Sequence, residues 1–130
     1  MPLTVQAIDH VGIRVTDRAR SLAFYGELGF APDPGFSTDR VAEIVSADGV
    51  RLNLIFNGEG RANNVLLDEV RLWPGYTHAA FIVPSLQDVI DWAEKRGVVI
   101  TEGPHDWGRR LTCFLRDPDG NVLEFNELKA

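Results

Sequence analysis

A single cysteine, Cys113, in 130 residues leaves no partner for an intrachain disulfide and fits a reducing compartment. Its place inside the run Leu-Thr-Cys-Phe-Leu reads as a buried thiol rather than a nucleophile. Positive charge is scarce as well. Thirteen Lys and Arg stand against nineteen Asp and Glu, a net charge of −6 with a pI near 4.9. A phosphate backbone requires a basic face, so nucleic acid is not an expected partner. No apolar run approaches the roughly 20 residues of a membrane span, and the first residues lack the basic stretch, apolar stretch and cleavage site of a signal peptide. A cytoplasmic protein with no membrane partner is therefore expected. The rest of the composition, 45% hydrophobic and 25% charged, is an ordinary globular balance for one domain over 1–130.

What the chain does contain is a copy of itself. Ile8-Asp9-His10-Val11-Gly12-Ile13-Arg14-Val15 aligns with Tyr76-Thr77-His78-Ala79-Ala80-Phe81-Ile82-Val83 at an offset of about 68 residues, which also carries Phe24 onto Trp92 and Gly29-Phe30 onto Gly97-Val98. Allowing a few extra loop residues, Ala47-Asp48-Gly49-Val50-Arg51-Leu52-Asn53-Leu54 falls on Pro118-Asp119-Gly120-Asn121-Val122-Leu123-Glu124-Phe125. Self-similarity at this period implies two modules, here at about 5–57 and 75–128, joined by a Gly-, Asn- and charge-rich connection over 57–75.

Each module reads β-α-β-β-β. Alternation from Ile8 to Val15 predicts a strand, Asp17 caps a helix that ends over Gly26 to Gly29, and a strand lies around Phe30 to Pro34. Strands near Ala42–Ser46 and Arg51–Phe56 flank an Asp48-Gly49 turn. The second module repeats the order with a strand at His78–Val83 and a Ser85-capped helix through Glu94 that Gly97 ends. A strand at Val98–Glu102 follows, then a hairpin pairing Leu111–Leu115 with Val122–Asn126.

Residues two apart share a strand face. If Leu52, Leu54 and Phe56 face the first helix, Arg51, Asn53, Ile55 and Asn57 face away; likewise Leu123 and Phe125 face the second helix and Val122, Glu124 and Asn126 do not. His10 and His78 fall on that helix-averted face of their own strands. A carboxylate in the middle of Val-Leu-Glu-Phe is costly to bury unless paired or bound to a cation. His10, His78 and Glu124 together make a 2-His-1-carboxylate set suited to one divalent metal ion, with positions left for substrate or water. Taken singly, each of the three also reads as a hydrogen-bonded structural residue.

The segments Ile-Asp-His-Val-Gly-Ile-Arg-Val, Phe-Tyr-Gly-Glu-Leu-Gly-Phe, Tyr-Thr-His-Ala-Ala-Phe-Ile-Val and Leu-Arg-Asp-Pro-Asp-Gly-Asn-Val-Leu-Glu-Phe resemble the vicinal oxygen chelate superfamily. It includes glyoxalase I, extradiol dioxygenases, fosfomycin-resistance enzymes and bleomycin-binding proteins. The resemblance spans nearly the whole chain. It implies an α+β fold of two tandem βαβββ modules forming a cupped half-barrel around a metal (Ni, Zn, Fe or Mn), often in a homodimer, with ligand positions at His10, Asn53, His78 and Glu124. Its glyoxalase I branch implies a lyase acting on a small substrate with two adjacent oxygens through an enediolate. Glu124 would then transfer the proton, and Arg14 and Asn57 would hold an anionic end of the substrate.

Asn53 departs from that branch, which has a glutamate there; an amide cannot serve as a general base near neutral pH. Asp106 also falls where a cationic side chain would suit the thiol's other carboxylate, with Arg109 and Arg110 close by. An Fe(II)-dependent extradiol dioxygenase using the same triad is the alternative enzyme, although Phe114 falls near its tyrosine acid. His105, in a Gly-Pro-His-Asp-Trp-Gly loop, is a further candidate for the substrate site. Fosfomycin enzymes fit less well, because Gly12 replaces their hydroxyl residue and the chain ends soon after Glu124. A binding protein that holds a drug or metabolite on Trp73, Tyr76 and Trp107 is the reading without catalysis, and the retained His10, His78 and Glu124 speak against it.

Overall fold

The computed structural model describes residues 2–60 and 66–130, and its elements group into two compact units, Met1–Gly60 and Arg61–Ala130. The middle of the expected connection, 61–65, lies outside the described residues.

In the first unit β1 (Val11–Arg14), α1 (Arg18–Glu27), β2 (Ala31–Pro32), a 3-10 turn over Pro34–Phe36, β3 (Val41–Val45) and β4 (Arg51–Ile55) follow in order. The second repeats the pattern with β5 (Ala79–Ile82), α2 (Leu86–Arg96), β6 (Ile100–Asp106), β7 (Arg110–Arg116) and β8 (Val122–Leu128). The sheets have the same topology, β1-β4-β3-β2 and β5-β8-β7-β6, each with one parallel pair, β1 with β4 and β5 with β8, among antiparallel neighbours. The repeat read from the sequence is thus a repeat of register: Val11 lies beside Leu52 as Ala79 lies beside Leu123.

Local chemistry accounts for the boundaries. Asp17 accepts the Arg20 amide at 2.8 Å to cap α1, and Ser85 accepts the Asp88 amide at 3.2 Å to cap α2. Gly97, in the left-handed region at φ 67°, ends α2. Pro32 donates no ladder hydrogen bond and accordingly sits in the two-residue edge strand β2.

Two elements differ from expectation. The first strand begins at Val11 rather than Ile8, its ladder with β4 starting where Val11 lies beside Leu52, and the Asp48-Gly49 turn just ahead of β4 leaves Ile8 and Asp9 no strand to pair with. His10, and by the same register His78, therefore sit one residue ahead of their strands. The sixth strand runs to Asp106, past the expected end at Glu102. Gly103, at φ 89°, absorbs a register shift against β7, and a Cβ there would come within 2.6 Å of the Thr112 carbonyl oxygen. His105 is consequently a strand residue opposite Thr112, and not part of a loop.

The cores follow the parity argument. Ile13, Ala42, Ile44, Leu52 and Leu54 are buried in the first unit with Tyr25 of α1. Cys113, Leu115, Leu123 and Phe125 are buried in the second, where α2 contributes Leu86, Val89 and Ala93 and packs on β7 and β8. Glu127, on the same face as Phe125, accepts the Leu86 amide at 2.7 Å and adds a second cap to α2.

Candidate functional site

In the second unit the opposite sheet face carries an unbroken polar chain. His78 Nε2 lies 3.0 Å from Glu124 Oε1, and Asn126 donates from Nδ2 to Glu124 Oε2 at 2.6 Å. Thr112 Oγ1 donates to Asn126 Oδ1 at 2.5 Å. Thr112 and Asn126 are cross-strand partners and both buried, whereas His78 retains 29% and Glu124 16% of side-chain exposure. Phe114, beside Glu124 in register, meets the His78 ring edge to face with centroids 5.3 Å apart. Glu124 thus lies on the sheet face opposite Leu123 and Phe125, in hydrogen-bond contact with His78.

In the first unit His10 Nδ1 lies 2.7 Å from Asp9 Oδ2. His78 Nδ1 is likewise 2.8 Å from the hydroxyl of the preceding residue, Thr77. Asp9 and Thr77 are repeat-related, so each module engages the Nδ1 of its histidine with the side chain one residue before it, and in His78 the other nitrogen, Nε2, meets Glu124. This is the usual way in which an imidazole ligand is oriented.

Glu43 is the residue that the sequence reading missed. It sits in β3 directly beside Asn53, on the same face, and is 7% exposed. Donor atoms of Asp9, His10 and Glu43 all lie within 4.8 Å of one another. Arg51 bridges Glu43 Oε2 at 2.7 Å and Asp33 Oδ2 at 3.1 Å, and these two carboxylates hold its guanidinium above the usual arginine value. The signal was present: Val-Ala-Glu-Ile-Val places a carboxylate at the centre of an apolar strand, the same anomaly that singled out Glu124. Asn53 Oδ1, next to Glu43, is buried and has no hydrogen-bond partner among the described residues.

The remaining expected residues are found as follows. Arg14 Nε donates to Asn57 Oδ1 at 2.9 Å, so these two do form a pair in the first unit. His105 shares the sheet face of Thr112 and lies 3.8 Å from Glu102, with its ring 5.1 Å from that of Trp107. Asp106 is paired with Lys129 at 3.0 Å rather than with Arg109 or Arg110. Trp73, Tyr76 and Trp107 are all exposed, Tyr76 completely. Near His10, a groove of about 520 Å³ is lined by Thr4, Gln6, Ala7, Ile8, Asp9, Gly49 and Arg51.

The donor set fits a divalent ion. Two ligands held tetrahedrally by one ion at about 2.0–2.2 Å are about 3.4 Å apart; His78 Nε2 and Glu124 Oε1, hydrogen-bonded at 3.0 Å, would have to part only slightly to take one. Imidazole nitrogen and carboxylate oxygen, the donors of His78 with Glu124 and of the Asp9, His10 and Glu43 group, suit zinc, nickel, iron or manganese better than a soft-ligand metal. The unpartnered Asn53 Oδ1 is a further oxygen in want of a donor or cation.

Comparison with known proteins agrees with this architecture. The profile of the Glyoxalase/Bleomycin resistance protein/Dioxygenase superfamily matches residues 7–125. The chain belongs to this superfamily. Virulence protein STM3117 of Salmonella typhimurium is 30% identical over 96% of this chain and 86% of its own length. A crystal structure of a glyoxalase/dioxygenase from Nostoc punctiforme superposes with a TM-score of 0.74 over all of both chains at 20% identity. The fosfomycin resistance protein FosX from Listeria monocytogenes does so at 0.73, with 15% identity over 97% of this chain and 96% of that one. At these identities the structural likenesses speak for the α+β fold alone. Superfamily members bind small molecules, and no helix among the described residues is long and apolar enough to cross a membrane.

Proposed function

We propose that the protein is a metal-dependent enzyme of the glyoxalase type, acting on a small substrate with two adjacent oxygens, with His10, His78 and Glu124 as metal ligands. The observation that carries this reading is the His78 to Glu124 contact, where a nitrogen and an oxygen lie close to a chelating separation on a partly exposed face. When bound, the metal supplies Lewis acidity that lowers the cost of removing a proton from carbon next to those oxygens. Glu124, as ligand and nearest carboxylate, is the group assigned to accept that proton, and Asn126 holds it in place through Oε2. Arg14, held by Asn57, supplies a positive charge for an anionic end of the substrate.

Glu43 supports the glyoxalase branch over the alternative. The family's second carboxylate is missing at Asn53, but a carboxylate stands one strand away on the same face and near His10. We assign Glu43 the role that position 53 has lost, that of the second acid-base group. The amide at Asn53 favours the second reading, an Fe(II) dioxygenase whose triad is complete without another carboxylate. Assays of hemithioacetal isomerisation with nickel or zinc, and of catechol-dependent oxygen uptake with anaerobically loaded Fe(II), separate the two. Isomerisation that falls by about 10²-fold or more in Glu43→Gln supports the first. Oxygen uptake unaffected by that change supports the second, and silence in both with tight binding of an aromatic ligand supports a binding protein.

A further inference from the structure

We infer that Thr112 and Asn126 are positioning residues that decide which oxygen of Glu124 and which nitrogen of His78 are offered to a ligand. The inference rests on the reading of His78 and Glu124 as metal ligands. Neither Thr112 nor Asn126 stood out in the sequence, and at 3% and 2% exposure neither touches substrate.

A side-chain amide can be turned either way, and here its neighbours choose. The Glu124 carboxylate only accepts, so Asn126 must turn Nδ2 to Oε2, which leaves Asn126 Oδ1 to accept the hydroxyl hydrogen of Thr112. Turning the amide over would press Asn126 Oδ1 against a carboxylate oxygen, acceptor against acceptor, at a residue only 2% exposed. Glu124 is therefore held by one oxygen, and Oε1 alone is directed at His78 Nε2. The contact in turn requires Nε2–H on His78, with Nδ1 accepting from the Thr77 hydroxyl. A hydroxyl both donates and accepts, so when Nε2 and Oε1 are used as ligands the imidazole proton moves to Nδ1 and Thr77 reverses to receive it. No charge is gained or lost in that exchange. The set Thr77, His78, Glu124, Asn126 and Thr112 is thus prepared for a single-oxygen, Nε2-linked ligand pair. Partners of this kind, one shell behind the ligands, typically account for about 10- to 100-fold in metal affinity.

The test is Zn2+ affinity, measured by competition with a chromophoric chelator on the full-length chain, together with the His78 tautomer read from imidazole nitrogen chemical shifts of metal-free protein at about pH 8, where an ordinary imidazole is neutral. Thr112→Val and Asn126→Leu keep the volume and remove the hydrogen bonds; each is expected to weaken Zn2+ about 10- to 100-fold, with Thr112→Ser within about 3-fold of wild type on the same scale. Metal-free wild type is expected to carry the His78 proton on Nε2. Unchanged Zn2+ affinity in folded Thr112→Val and Asn126→Leu overturns the inference. So does an Nδ1–H tautomer in wild type, which decides the matter even if both variants fail to fold. A wild type with the Nε2–H tautomer but no Zn2+ affinity would remove the proposed function while leaving the hydrogen-bonded chain in place.

Discussion

Residue by residue, the site was legible where a side chain contradicted its surroundings. Glu124 was visible because a carboxylate is costly among Val122, Leu123 and Phe125, and His78 because it recurs at the place of His10. Glu43 met the same criterion and was passed over, since only the β3–β4 register shows that it stands beside Asn53. Parity puts Asn126 on the face of Glu124, but its burial and its bond to Thr112 follow only from the β7–β8 register, which the sequence does not show. Cys113 was read as inert, and burial does push its thiol up to about 11. Because the folded thiol holds its proton more tightly than the unfolded one, its contribution to stability is complete below about pH 9 and is lost as pH rises towards 11. Native protein at about pH 8 should hence react with a thiol reagent far more slowly than unfolded protein. Equal rates would mean that Cys113 is accessible.

Among the elements, helices and hairpins were placed well and strand ends less so. Helix limits are written locally, in Asp17, Ser85 and Gly97, whereas a strand ends where its partner ends, as β1 does where Val11 lies beside Leu52. The sixth strand was cut short for a related reason: Gly103-Pro104 looks like a breaker, yet a register shift accommodates it and keeps His105 in the sheet. Two caps converge on α2, from Ser85 and from Glu127. Ser85→Ala should cost about 1 kcal/mol in urea-induced unfolding. Glu127→Ala should add a further loss, because the Leu86 amide would be left without its acceptor; a neutral double variant would show that the two caps do not hold α2. Gly103→Ala should lower the melting temperature more than Gly108→Ala does, since a Cβ at 103 would meet the Thr112 carbonyl oxygen whereas one at 108 would enter open space.

For the whole molecule, the tandem repeat carried the fold class, because self-similarity does not depend on where any one strand ends. Reaction and assembly are written less openly. Leu3, Val5 and Ile8 are all more than 80% exposed, and exposed apolar side chains in one short segment suit contact with another protein surface. In keeping with the homodimer that the family resemblance implies, light scattering should give twice the chain mass of 14.4 kDa, and Leu3→Glu with Val5→Glu should reduce it to one; a wild-type mass of one chain would count against this. The central claim concerns the metal. Elemental analysis of protein purified without chelator, paired with folded His78→Ala, tests it most directly: one divalent ion per chain is expected in wild type and none in the variant, whereas metal-free wild type, or equal metal in both, would contradict it.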